Sequence, residues 1–201
     1  MFYQQITLID QCEVPSFAIW SKLYKKLHLA LVESKEREGD VHIGVSFPGY
    51  VYDGSTPKGK KWLGNKLRLI ARSERELRDL NIDQWLKNLV DGDYVHITSI
   101  KSVPAEIKGY ACYGRKQTFN QSYIARLQRR ASARNKGESS LASMTLTDLP
   151  YVQLESYSTP TKLEGQRHGF TLHIEKKLVD KNENFVFSTY GLSSESALPE
   201  F

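Results

Sequence analysis

Apolar residues switch between a spacing of two and a spacing near 3.6 along the first hundred positions, and this switching predicts an α+β fold. Three observations carry the prediction. Alternating runs stand at 2–9, 41–47, 66–71 and 94–103, as expected for strands with one buried face. Trp20, Leu23, Leu27 and Leu31 recur at helical intervals between the first two runs, and Ser73 stands three residues before Glu76 between the last two, which is the spacing of a capping box. After Pro104 extended runs dominate, interrupted by one arginine-rich segment.

Taken in order, residues 2–9 form a first strand. Pro15 then opens a helix, with Ser16 near its start, that runs to about Glu33; a proline is tolerated there because its missing N–H needs no partner in the first turn. The charged run KEREGD, at 35–40, ends in Gly and Asp and reads as a turn. A strand at 41–47 stops at Pro48, and 49–64, rich in Gly, Pro and Lys, reads as a loop. The strand at 66–71 follows, then a helix capped by Ser73 that continues to about Val90, and a strand at 94–103 after the turn Asp91-Gly92-Asp93. The order β-α-β-β-α-β is the ferredoxin-like pattern, which assigns residues 1–104 to one domain. Many RNA-binding proteins use this frame, but the strand KLRLIARS lacks the aromatic platform of an RRM, and order alone does not give function. Residues 105–201 read as a second domain. Its elements are an extended run at 109–119, a helix at about 121–134, a polar loop at 135–147, and extended runs at 151–156, 169–175 and 185–190. The result is an arginine-rich helix on a small antiparallel sheet.

That segment, 108–136, holds eight Lys or Arg residues and no Asp or Glu, in a chain whose net charge is only +5. Arg126, Arg129, Arg130 and Arg134 stand at i, i+3, i+4 and i+8. At about 100° per residue they share an arc of about 140°, while Ile124, Leu127 and Ala131 project from another side. A solvated basic face is the plain reading. The lack of nearby carboxylates and the excess of Arg over Lys favour a phosphate polyanion, because the guanidinium fork grips phosphates and base edges.

Several classes are disfavoured. Cys12 and Cys112 have no metal-ligand spacing and make no disulfide framework, which points to a reducing cytoplasm. No signal peptide and no apolar run long enough for a membrane span stand out. P-loop, HExxH and GxSxG motifs are absent, as is a carboxylate cluster for magnesium, so neither metal nor cofactor is expected. An RNA-cutting enzyme needs none of these, since the ribose 2′-hydroxyl can attack its own phosphate once a base takes its proton. Histidine suits that task. Periodicity alone does not separate His28, His42, His96, His168 and His173, and His28 reads as a half-buried helix residue beside Tyr24 and Leu31. Likewise Ser156, Ser158 and Thr159 before Pro160 suit a turn, Tyr190 suits a strand end, and Phe170 suits a core.

Four blocks lift some of these above the rest: KLHLAL at 26–31, IGVSFP at 43–48, RKQ at 115–117 followed by the arginine helix, and the pair SYST at 156–159 and YGLS at 190–193. In these blocks, and in their order, the chain resembles the repeat-RNA processing endoribonucleases of type I-F CRISPR systems. The resemblance implies a metal-independent cut in a CRISPR repeat hairpin, leaving a 2′,3′-cyclic phosphate and a 5′-hydroxyl. It implies that His28 is the general base, that Ser156 holds the attacking 2′-hydroxyl, and that Tyr190 orients the site. Arg115 and Gln117 would read base edges at the foot of the stem. Arg126, Arg129, Arg130 and Arg134 would enter the hairpin's major groove, Phe170 would stack on a nucleotide at the stem base, and Ser158 and Thr159 would touch RNA near the cut. The enzyme would then stay on the crRNA as a subunit of a type I-F surveillance complex, with no membrane partner. The rival reading is a non-catalytic hairpin-binding subunit of the same fold, which would need the arginine helix but no gathering of His28, Ser156 and Tyr190.

Overall fold

In β1 (Phe2–Leu8) Gln4, Ile6 and Leu8 are buried and the residues between them are half-exposed, so the period of two buries one side of the strand. The computed structural model describes residues 1–56, 59–117, 126, 129, 149–156 and 168–201. Among these the fold is α+β, built of antiparallel sheets and helices. α1 (Ser16–Glu38) follows β1, and β2 (Ile43–Ser46), the short strands β3 (Val51–Tyr52) and β4 (Lys61–Trp62), and β5 (Lys66–Ala71) come next. α2 (Glu74–Leu80), α3 (Ile82–Asp91), β6 (Val95–Ile97) and β7 (Lys101–Ser102) close the first half. The first sheet has the order β2-β5-β1-β6, with β7 also paired to β1, and all its pairings are antiparallel. The helices pack against it and against one another. The Ser73 capping box forms, with the Ser73 amide donating to the Glu76 carboxylate at 2.8 Å.

β8 (Gly109–Lys116), β9 (Tyr151–Ser156), β10 (His168–Val179) and β11 (Ser193–Glu200) make a second antiparallel sheet in the order β11-β8-β10-β9. α1 lies along β9. The two sheets share one buried apolar cluster that includes Leu27, Val45, Tyr113, Leu154 and Ile174. The Tyr50 hydroxyl donates to the Ile174 carbonyl at 2.9 Å, across that junction. Gly44 permits a close approach, since a Cβ there would fall 2.6 Å from the Phe187 ring and 2.8 Å from Leu198.

Four expectations are corrected. The KEREGD run is not a turn: α1 continues to Glu38 and ends at Gly39, whose φ is 85°. Lys35 and Arg37 lie in the last turn, where the helix dipole favours cations, and Arg37 also donates to the Asp79 carbonyl at 3.1 Å. The 49–64 loop contains the β3–β4 hairpin, with Val51 opposite Trp62. The fourth strand is broken into β6 and β7. Finally, 185–190 is not a strand; there Phe187 makes one bridge to Val41, and the closing strand is β11. The polar SSES run and Pro199 disguise β11 in the sequence, and a proline is tolerated because β11 is an edge strand. Among the described residues no helix is long and apolar enough to cross a membrane.

Candidate active site

Tyr24, Lys25 and His28 lie within just over one turn of α1. Tyr24 is fully buried, and its hydroxyl donates to the Tyr190 carbonyl at 2.9 Å. Burial, and then Tyr190 nearby, pushes that hydroxyl well above the usual tyrosine range, so it remains a donor throughout the working pH range. His28 is half-buried, with Nδ1 2.8 Å from the Thr189 carbonyl oxygen. A carbonyl can only accept, so Nδ1 carries the proton and Nε2 of the neutral ring keeps its lone pair. The His28 ring stacks on Tyr190, with centroids 4.3 Å apart and planes 10° apart. Phe170, from β10, meets Tyr190 edge-on at 6.5 Å. The Arg115 guanidinium, from β8, lies 5.7 Å from the Phe170 ring and 5.6 Å from the Tyr190 ring, within cation–π range. Residues far apart in the chain thus make one cluster of an imidazole, two aromatic rings and a cation.

The turn that carries Thr189 and Tyr190 is tightly held. Gly191 donates to the Ser188 carbonyl at 2.8 Å, Ser188 donates to the Leu192 carbonyl at 2.9 Å, and Val45 of β2 donates to the Gly191 carbonyl at 2.8 Å. Gly191 has φ +69°, and a Cβ there would fall 2.3 Å from Val45 Cγ2. Glycine is required here both for the left-handed backbone and for the close approach.

A family model described as CRISPR-associated protein (Cas_Csy4) matches residues 3–201. The chain belongs to the Csy4 family. It is 32% identical, over 207 residues, to the CRISPR-associated endonuclease Cas6/Csy4 of Pseudomonas aeruginosa (strain UCBPP-PA14), an alignment spanning 99% of this chain and 98% of that one. A likeness to the product of a Cas6-related gene from Pyrococcus furiosus covers 99% of this chain and 98% of that one, at 11% identity and a TM-score of 0.34.

In this Csy4-family chain, two of the four sequence blocks are each other's docking surface: Val45 of IGVSFP receives Gly191 of YGLS. The first block supplies His28 and the third supplies Arg115. Ser156 ends β9, half-exposed, with its Cα opposite His168 of β10. Its neighbour Glu155 pairs with Lys25 at 3.1 Å, which brings the end of β9 to the turn of α1 that carries His28. Gln117 follows β8 and is exposed, and Arg126 and Arg129 have helical backbone and exposed side chains. Arg130, Arg134, Ser158 and Thr159 lie outside the described residues. Sequence reading missed Thr189, which acts through its main chain and leaves no side-chain signal. It also missed the Tyr24 hydroxyl, whose only trace was its place one turn before His28.

Proposed function

We propose that the chain is the endoribonuclease that cuts CRISPR repeat hairpins in precursor crRNA, without a metal, by 2′-hydroxyl attack. The observation that supports it best is the Thr189 carbonyl on His28 Nδ1, because it reserves Nε2 as a base, and a pure RNA binder has no use for a fixed tautomer. Nε2 takes the proton from the 2′-hydroxyl as the 2′-oxygen attacks phosphorus. The P–O5′ bond then breaks, leaving a 2′,3′-cyclic phosphate and a 5′-oxygen that acquires a proton from water. Ser156 holds the 2′-hydroxyl, and Tyr190 fixes the plane of His28. Phe170 stacks on a nucleotide at the stem base, and Arg115 and Gln117 read base edges there. Arg126, Arg129, Arg130 and Arg134 lie along the hairpin's phosphates, with Ser158 and Thr159 near the cut. The order β6-β1-β5-β2 supports a ferredoxin-like reading of residues 1–104, a frame for His28, with 105–201 as the half that grips the hairpin. The product stays bound, and the enzyme acts in the cytoplasm as a subunit of a type I-F surveillance complex.

The test is a labelled repeat hairpin in excess EDTA, beside one with a 2′-deoxyribose upstream of the cut. Cutting of the all-ribose RNA alone is the expected result. His28→Ala is expected to bind the hairpin with unchanged affinity and to cut at least a thousandfold more slowly. Tight binding without cutting by the wild-type protein would make it a hairpin-binding subunit.

A further inference from the structure

We propose that a groove between α1 and β9 binds the single-stranded RNA flanking the hairpin. The proposal rests on the reading of the chain as a hairpin nuclease and extends its substrate beyond the stem. Phe17, Ser21, Lys25 and His28 lie within an arc of about 80° along α1, at about 100° per residue, and span about 16 Å at 1.5 Å per residue. On the opposite wall, β9 from Tyr151 to Ser156 covers about 16 Å at 3.3 Å per residue. Two adjoining cavities of about 590 Å³ and 490 Å³ fill the space between, with Ser21 and Gln153 common to both. The first ends at Phe170, the ring that meets Tyr190. The second ends among Phe17, Trp62 and Tyr151. The groove therefore starts at the aromatic cluster beside His28 and runs away from it, with room for no more than about five nucleotides near the 3.4 Å stacked rise.

Its chemistry fits single-stranded nucleic acid. Phe17, Tyr151 and Trp62 are 65%, 52% and 47% exposed, which is unusual for large aromatic side chains gathered at one place. Trp62 is held by pairing with Val51 in the β3–β4 hairpin. Trp20 forms the floor, its indole N–H donating to the Gly64 carbonyl at 3.1 Å. Lys22, Lys25 and Lys61 line the same path. Glu155 is the acid in the groove and already sits on Lys25, so a phosphate there competes with it. Flat rings that accept any base, with cations spaced between them for phosphates, are the means by which proteins hold single strands without reading sequence.

The test uses uncleavable 2′-deoxy hairpins in three forms: bare, with five extra nucleotides on the 5′ side, and with five on the 3′ side. Dissociation constants are measured by fluorescence anisotropy for the wild type and for Phe17→Ala/Trp62→Ala/Tyr151→Ala. At least tenfold tighter wild-type binding of one extended RNA, abolished in the triple variant while bare-hairpin affinity is unchanged, supports the groove. Equal wild-type affinity for all three RNAs overturns it, as does a variant that keeps the gain. Should the variant keep the gain yet fail to join a protein subunit, the groove is a protein surface and the proposal falls. If the wild type does not bind the bare hairpin, the nuclease reading fails first.

Discussion

A main-chain oxygen sets the chemistry of His28. Because the Thr189 carbonyl accepts from Nδ1, the tautomer depends on the position of the backbone and survives any side chain at 189. That backbone is held from below by the buried Tyr24 hydroxyl. Tyr24→Phe removes the donor and leaves the Tyr190 carbonyl without it, at a cost of about 1–3 kcal/mol for an unsatisfied buried group. Urea denaturation is expected to show a loss in that range. Single-turnover cleavage is expected to slow several-fold while hairpin affinity holds, and an unchanged rate would remove Tyr24 from the positioning of His28. Tyr190 tests the ring itself: Tyr190→Phe preserves the stacked face at 4.3 Å and Tyr190→Ala removes it, so Ala is expected to slow cleavage much more than Phe. These contacts also show why the five histidines looked alike in the sequence. The partner of His28 lies 161 positions away, and a helical period reports only which side of α1 is apolar.

The element that matters most is the turn from Ser188 to Leu192, which joins α1 to β2. Gly191→Ala forces a left-handed backbone on an L residue and drives a Cβ into Val45. Strain and overpacking together are expected to cost about 2–4 kcal/mol, lowering the melting temperature and slowing cleavage in the protein that remains folded. Wild-type stability in this variant would mean that the turn relaxes freely. Ser73→Ala is the contrasting case, because its capping box lies on α2, away from His28. It is expected to cost about 1 kcal/mol with no change in the cleavage rate. Helix and strand periods located β1, α1, β5 and the α2 cap well, because each buries one face locally. They failed at β11 and the β3–β4 hairpin, where a polar or Gly-rich segment is extended only because a partner strand receives it. The cluster of His28, Tyr190, Phe170 and Arg115 was legible through the resemblance of separated blocks. Local pattern could not supply it, since each of the four comes from a different element.

At the scale of the whole molecule, the residues proposed to cut and those proposed to hold the RNA stand in different parts of the chain. His28 sits on α1 against the 188–192 turn, whereas the arginine face is separate from it in the chain, and Arg126 and Arg129 are exposed there. A chain with net charge +5 that concentrates eight basic residues in 108–136 binds RNA largely by releasing counterions, so affinity falls steeply with salt. Each phosphate contact on a duplex contributes about 0.9 to the slope of log K against log salt. Arg126→Ala/Arg129→Ala is therefore expected to make the slope shallower by about 2 and to weaken binding most at low salt. The single-turnover rate at saturating protein is expected to stay at the wild-type value, because saturation offsets a loss of affinity and leaves the chemical step at His28 to set the rate. Anisotropy titrations between 50 and 400 mM KCl measure the slope, and quenched-flow cleavage at saturation measures the rate. An unchanged slope would take these two arginines off the phosphates, and a fall in the saturated rate would mean that Arg126 and Arg129 also orient the scissile phosphate at His28.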